Sequence, residues 1–172
     1  MNIDPKQFNT AQSPAILVIF GATGDLSRRK LIPALFDLYT KGFLPVSFKI
    51  VGFSRRAFSH DDFREFALLA ISEAKKRYNK KQAVDFLKHL RYQSGFFDKP
   101  IYYQSLAEIL IELDNDFGVC SNKLFYLATP PVLYETIFQN LAYSGLTIPC
   151  GGAKGWTRVL VEKPFGKDMR TA

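Results

Sequence analysis

Hydrophobic residues along this chain follow two patterns, short continuous apolar runs and longer stretches with helical spacing. Four continuous runs predict strands that are buried on both faces of a sheet: AILVIF (15–20), SFKIVGF (47–53), KLFYLA (123–128) and RVLVE (158–162). Between them, apolar residues recur every three or four positions, which predicts helices over these ranges: 31 to near 42, 60–77, 82–90, 105–116 and 132–144. Strands that alternate with helices in this way predict an α/β fold built on an open parallel sheet, with helices on both faces.

Residues at the predicted helix ends support this division of the chain. Ser59, with two aspartates close behind it, is typical of a helix N-cap followed by an acidic first turn. Pro33 lies inside the first helix and predicts a kink there, or the end of its first turns. Residues 1–14 are polar and predict a flexible leader, which leaves residues 15–172 as one α/β domain.

The composition narrows the class of partner. The chain has 172 residues, of which 47% are hydrophobic, and its formal net charge is +7. These values predict a folded domain that favours an anionic partner, such as a nucleotide, a phosphorylated metabolite or a nucleic acid. The basic residues are spread along the chain rather than concentrated in one arm or helix, so we expect no nucleic-acid partner.

Three further features predict a soluble, cytoplasmic protein with neither a membrane partner nor a metal site. The N-terminus lacks the apolar core of a signal peptide. The apolar run 15–20 is far too short to span a bilayer. Cys120 and Cys150 are thirty residues apart without metal-type spacing, so we expect reduced thiols.

The first chemical signal follows the first strand, where the chain reads Gly21-Ala22-Thr23-Gly24 before a helix. Gly21 allows a sharp exit from the strand, and Gly24 lets the backbone approach a pyrophosphate at the positive end of that helix. This arrangement predicts the first βα turn of a Rossmann-like, doubly wound dinucleotide-binding sheet. The usual fingerprint has three glycines, whereas Asp25 and Leu26 follow the second one here, so a plain strand–helix turn remains the alternative.

The end of the second strand bears on which dinucleotide is bound. An NAD site places a carboxylate there to accept the ribose hydroxyls, but this chain has Ser54-Arg55-Arg56 and no acid until Asp61. Arg55 or Arg56 can hold a 2′-phosphate bidentately, which predicts NADP rather than NAD. The alternative is that both arginines are solvated surface residues.

The carboxyl ends of parallel strands gather at one edge of a sheet, where ligands bind. That edge is predicted to collect the glycine turn, Arg55, the turn at Ala128-Thr129-Pro130, and Lys163 with Pro164. Lys163 can bind a substrate phosphate or hydroxyl there, although a surface lysine that ends a strand is the alternative. The remaining conspicuous side chains are interpreted as structural: His60 in a helix first turn, His89 before a strand, and Tyr92, Tyr102 and Tyr103 as packing residues.

These motifs together closely resemble the glucose-6-phosphate dehydrogenase family. FGATGDLSRRKLIPALFDLY is similar to the family's glycine loop and first helix, and IVGFSRR to its second strand with the 2′-phosphate arginine, here Arg55. KLFYLATPP and RVLVEKPFGKD are similar to two further family motifs. The matches run in order from residue 16 to 168, which is nearly the whole chain.

The resemblance implies oxidation of glucose 6-phosphate at C1 to 6-phosphogluconolactone, with hydride transfer to NADP⁺ in the oxidative pentose phosphate pathway. The implied cofactor contacts are Gly21, Ala22, Thr23, Gly24, Asp25, Leu26, Arg55, Ala128, Thr129 and Pro130. The implied substrate contacts are Lys30, Lys163 and Pro164, whose peptide bond can be cis or trans. Full-length members of the family are homo-oligomers, dimers or tetramers.

The chain also departs from the family. The substrate motif RIDHYLGK, with the histidine that acts as general base, is absent, and so is the large antiparallel β domain that completes the sugar pocket. We therefore expect a coenzyme domain truncated at its C-terminal end, with no catalytic residue in this chain and no turnover by it alone. A stand-alone dinucleotide-binding module without chemistry and a basic nucleic-acid binder are the competing hypotheses.

Overall fold

The computed structural model describes residues 13–149 and 155–162. Five strands form one parallel sheet in the order β3-β2-β1-β4-β5, which confirms the predicted open parallel architecture. Their bounds are as follows: β1 Ala15–Phe20, β2 Phe48–Ser54, β3 Leu90–Ser94, β4 Asn122–Leu127 and β5 Thr157–Val161. The strand after His89, which sequence analysis left without bounds, is therefore the short edge strand β3.

In the part of the chain that the structure describes, five α-helices connect the strands: α1 Ile32–Thr40, α2 His60–Ala74, α3 Lys80–Leu87, α4 Pro100–Phe117 and α5 Tyr134–Tyr143. A π-helical turn, Ser27–Leu31, precedes α1, so Pro33 marks the place where the first turns end. The Ser59 side chain and the Asp62 carboxylate form a reciprocal capping box at the start of α2, as predicted. The helix predicted over 105–116 begins earlier, at Pro100, because proline needs no N–H partner in a first helical turn. In the two described ranges, no helix combines the length and the apolar character needed to cross a membrane.

Each face of the sheet carries its own hydrophobic core. On one face, α4 and α5 cover residues such as Val18, Phe20 and Phe125. On the other face, α1, α2 and α3 cover Ile19 and Ile50. Successive side chains of a strand point to opposite faces, so the continuous apolar runs serve both cores at once. The predicted doubly wound arrangement is thereby confirmed.

Cys120 lies just before β4 and takes part in a disulfide. The prediction of reduced thiols is therefore wrong for Cys120. A spacing of thirty residues carries no information about which chain segments the fold brings together, so sequence alone did not indicate a bond.

The edge strand β3 is tied to α2 through one histidine. Tyr92 donates its backbone N–H to Nδ1 of His60 over 3.2 Å. Burial, followed by the charges of Arg91 and Arg64, lowers the pKa of His60 below its ordinary value of 6.5. The imidazole therefore accepts this hydrogen bond in its neutral form.

We expect the free energy of unfolding to fall as the pH drops below about 6.5, because the unfolded chain binds a proton at His60 before the folded chain does. Urea denaturation at pH 7.5 and pH 5.5 measures the effect. His60→Gln, which removes this titration, should show a smaller fall between the two pH values. An equal fall in both proteins would contradict the assignment to His60.

Candidate functional site

A cavity of about 550 Å³ opens at the carboxyl edge of the sheet. Four adjacent strand ends contribute to its wall, as the parallel topology requires. The lining residues are Gly21, Thr23, Gly24, Ser54, Arg55, Arg56, Phe96, Phe97, Ala128, Thr129, Pro130 and Leu133. Of the strand ends predicted to meet at this edge, those after β1, β2 and β4 do meet there.

At Gly21, the residue after β1, the chain runs directly beside the backbone that follows β4. Its φ is +81°, and a Cβ placed on it would lie 2.5 Å from the Ala128 carbonyl oxygen. The Gly21 carbonyl accepts hydrogen bonds from the Gly24 N–H at 2.9 Å and from the Ser27 hydroxyl at 3.1 Å. Only glycine combines this backbone conformation with this lack of space, so the sharp turn requires glycine at this position.

Not every residue of the predicted glycine-turn contact set faces the cavity. The Ala22 side chain is fully buried and lies next to Gly52, as does Phe63. Asp25 and Leu26 are exposed and lie outside the cavity wall. The involvement of these three residues with a cofactor stays a prediction.

The three cations after the turn have different surroundings. Arg28 forms a bidentate ion pair with Glu73 of α2, which lowers the pKa of that carboxyl. Arg29 pairs with Asp25 one helical turn away, at 2.8 Å. Lys30 is exposed, and among the described residues no ion pair involves it. The two arginines thus form ion pairs, whereas Lys30 has none among the described residues and is not one of the residues that line the cavity.

Arg55 and Arg56 follow β2 and both line the cavity, but only one is free of a close aromatic contact. The Arg56 guanidinium lies over the Phe58 ring, 5.8 Å from its centroid. Arg55 is exposed, and the described residues include no ion pair to it. The contact with Phe58 distinguishes Arg56 from Arg55, but both guanidinium groups lie on the wall where an anionic group can bind.

The nearest acids after β2 are already engaged in stabilising α2. Asp62 accepts hydrogen bonds from the Ser59 N–H and hydroxyl, both at 2.7 Å, and these bonds lower its pKa. Asp61 pairs with Arg64 at 2.7 Å. Among the described residues that line the cavity, none carries a carboxylate, so an acceptor for ribose hydroxyls is not provided from this side.

The turn after β4 contains a buried hydroxyl that has no hydrogen-bond partner among the described residues. Thr129 is only 9% exposed, and its Oγ1 is one of two buried side-chain polar atoms in the described residues that lack a hydrogen-bond partner. Such an atom is costly unless something satisfies it. Together with the crowded glycine turn and Arg55, it fits a bound phosphate-bearing group.

Three further residues line the cavity that the sequence did not predict there: Phe96, Phe97 and Leu133. Phe96 and Phe97 follow β3, so bounds for that strand would have located them. Leu133 ends the 3₁₀ turn Pro131–Leu133, which no sequence pattern distinguished from α5.

The end of β5 is fixed by two tyrosines. The Tyr126 hydroxyl donates to the Glu162 carboxylate, and the Tyr134 hydroxyl donates to the Glu162 carbonyl at 3.3 Å. Burial, and then the bond to Glu162, raises the pKa of Tyr126. Lys163 and Pro164, predicted as substrate contacts, lie outside the described residues.

Neither histidine lines the cavity. His60 accepts the Tyr92 N–H, and His89 stacks on Phe48 with ring centroids 4.2 Å apart. Both side chains are structural, as the sequence predicted.

A protein-family model described as "Glucose-6-phosphate dehydrogenase, NAD binding domain" matches residues 18–172. The chain belongs to the glucose-6-phosphate dehydrogenase family. It corresponds to the dinucleotide-binding domain of that family, in agreement with the cavity at the glycine turn.

Curated glucose-6-phosphate dehydrogenases support the same assignment. The chain is 40% identical over 168 residues to glucose-6-phosphate 1-dehydrogenase 2 of Mycobacterium tuberculosis, covering 97% of this chain and 32% of the relative. It is 43% identical over 161 residues to glucose-6-phosphate 1-dehydrogenase of Chlamydia pneumoniae, covering 92% and 31%. The chain thus spans about a third of the length of these relatives.

Solved structures of the family share the fold. A glucose-6-phosphate dehydrogenase in complex with its substrate glucose-6-phosphate superimposes with a TM-score of 0.79 at 33% identity, over 94% of this chain and 32% of that chain. The enzyme from Mycobacterium avium gives a TM-score of 0.77 at 31% identity, over 93% and 32%.

We expect Gly21→Ala to lower the free energy of unfolding by more than Gly42→Ala does. Gly42 also has a positive φ, +71°, but no atom lies within 4 Å of the place that a Cβ would take there. Both substitutions carry about 1–2 kcal/mol of backbone strain, and the clash with Ala128 adds about 1–3 kcal/mol at Gly21 alone. Urea denaturation of the two variants measures the difference, and equal losses would contradict the close approach at Gly21.

Proposed function

We propose that this chain is the NADP-binding part of a glucose-6-phosphate dehydrogenase. The reaction oxidises glucose 6-phosphate at C1 to 6-phosphogluconolactone and transfers the hydride to NADP⁺. Membership of the family supports the reaction, and Arg55 on the cavity wall is the observation that carries the choice of cofactor. As a member of that family, the protein acts in the oxidative pentose phosphate pathway.

The choice of NADP over NAD rests on charge at the end of β2. The exposed guanidinium of Arg55 can form paired hydrogen bonds with a 2′-phosphate, in the planar geometry that arginine favours. The cavity wall offers no described carboxylate to accept the 2′-hydroxyl of NAD. Both features favour the phosphorylated dinucleotide.

The remaining cofactor contacts follow from the glycine turn and the turn after β4. Gly21, Thr23 and Gly24 bring backbone close to the pyrophosphate, with Ala22, Asp25 and Leu26 continuing the same turn. Thr129 offers its unpartnered hydroxyl, and Ala128 and Pro130 form the wall beside it. When bound, the cofactor supplies the hydride acceptor.

Substrate recognition is assigned to Lys30, Lys163 and Pro164, through the family motifs that contain them. The exposed Lys30 ammonium, without an ion pair in the described part of the chain, supports its part in this assignment. A solved relative in complex with glucose-6-phosphate supports the substrate. Homo-oligomeric assembly and a cytoplasmic location belong to the same proposal, although the disulfide at Cys120 removes the support that reduced thiols gave to that location.

Arg55→Ala tests the cofactor assignment. We expect it to weaken NADP binding at least tenfold, because a charge-assisted contact to phosphate contributes about 1.5–3 kcal/mol, and to leave NAD binding nearly unchanged. Calorimetric titration of both nucleotides measures the two dissociation constants. Arg56→Ala, which removes the neighbouring charge next to Phe58, is the matched control and should weaken NADP binding less. Equal losses for NADP and NAD would remove Arg55 from this role.

Residues 1–172 alone should not oxidise glucose 6-phosphate, because neither histidine of the chain lies on the cavity wall as a general base. NADPH absorbance in the presence of saturating substrate and NADP⁺ is the measurement. Sustained production of NADPH by the purified chain would show that a base is present.

A further inference from the structure

The hydroxyl of Tyr92 contacts the backbone on both sides of Arg55. It lies 2.8 Å from the Arg56 carbonyl oxygen and 3.2 Å from the Ser54 carbonyl oxygen. The Ser54 carbonyl also accepts the Gly95 N–H, at 2.9 Å. The carbonyl groups of Ser54 and Arg56, the residues on either side of Arg55, are therefore held by β3 and by the residue that follows it.

Tyr92 is itself held firmly. It is only 3% exposed, and its ring packs against Phe63 and Phe58, with centroids 5.1 Å and 5.8 Å away. Its N–H is bonded to His60. Burial raises the pKa of the phenol, so the hydroxyl stays protonated and donates at neutral pH.

The same contacts reach the glycine turn. The Ser54 hydroxyl is 2.8 Å from the Thr23 hydroxyl, and both side chains are buried. Ser54 therefore links the loop that carries Arg55 to the turn proposed to bind the pyrophosphate. A displacement of the Ser54–Arg56 backbone would change the distance between the two phosphate-binding elements.

We infer that Tyr92 is a positioning residue for cofactor selectivity: its hydroxyl fixes the backbone on both sides of Arg55 and so aims the guanidinium at the 2′-phosphate. The inference rests on the proposed function, because it needs Arg55 to bind that phosphate. Arg55 is exposed and, in the described part of the chain, forms no ion pair, so the hydrogen bonds to the carbonyls of Ser54 and Arg56 are the described contacts that position it. A preorganised backbone lowers the entropy that the arginine loses when it binds.

Tyr92→Phe removes the hydroxyl and keeps the ring between Phe58 and Phe63. We expect this variant to bind NADP about three- to tenfold more weakly, the effect of one hydrogen bond, and to bind NAD within about twofold of the unaltered chain. The measurement is calorimetric titration of residues 1–172 with NADP and, separately, with NAD. A loss of the same size for both nucleotides would overturn the inference.

Tyr103→Phe is the matched control. Tyr103 is also buried, and its hydroxyl donates to the Phe97 carbonyl over 2.8 Å, but this bond does not touch the Ser54–Arg56 loop. We expect it to leave the ratio of the NADP and NAD dissociation constants unchanged. A change of ratio equal to that of Tyr92→Phe would also overturn the inference, since loss of any buried hydroxyl would then suffice.

The double variant Arg55→Ala/Tyr92→Phe separates positioning from general structure. If Tyr92 acts through Arg55, Tyr92→Phe should have no further effect on NADP binding once Arg55 is gone. Additive losses would overturn the inference. So would a Tyr92→Phe chain that fails to fold, as judged by its thermal transition, because a residue that acts on Arg55 is not required for folding.

The outcomes for this inference and for the proposed function are distinct. If Arg55→Ala has no effect on NADP binding, the proposed 2′-phosphate contact is wrong, and the inference falls with it. If Arg55→Ala weakens NADP selectively and Tyr92→Phe does not, only the inference is overturned. Failure of the unaltered chain to bind either nucleotide would overturn both.

Discussion

The close approach of Gly21, which follows β1, to the backbone of Ala128, which follows β4, is the constraint on which the site depends. The chain leaves the central strand with a positive φ, directly beside the Ala128 carbonyl, and this is possible only without a side chain. The turn then leads into helix within a few residues, so backbone groups gather at one edge of the sheet. The residues that follow β2 and β4 form cavity walls on either side of this turn, so one ligand can contact the turn and both walls.

A second set of hydrogen bonds fixes the strand ends that form the cavity walls relative to one another. Hydrogen bonds between Thr23 and Ser54, and between Tyr92 and the backbone around Arg55, join the first three strands of the chain on the side of the arginines. On the opposite side, Tyr126 and Tyr134 fix the end of β5 at Glu162. In both places, tyrosine hydroxyls with buried or half-buried rings bond to groups at strand ends, which ties loop positions to the rigid sheet.

Strand positions and the sheet edge were predictable from sequence, because continuous apolar runs and glycine spacing report burial and backbone freedom directly. The position of Arg55 on the cavity wall was predictable, because this residue follows a strand whose end the apolar pattern located. The position of Phe96 and Phe97 on the cavity wall was not predictable, because the strand before them, β3, is a short edge strand, LRYQS, that mixes polar and apolar residues. Nor did the sequence indicate that Arg28 pairs with Glu73, since that ion pair depends on which helix faces lie together.

The hydrogen bond between His60 and Tyr92 affects whether another strand can pair with the β3 edge of the sheet. An edge strand offers unpaired N–H groups to any strand that approaches it, and β3 is one of the two edges here. The Tyr92 N–H already donates a hydrogen bond to the imidazole of His60 in α2, so it cannot pair with the backbone of another strand.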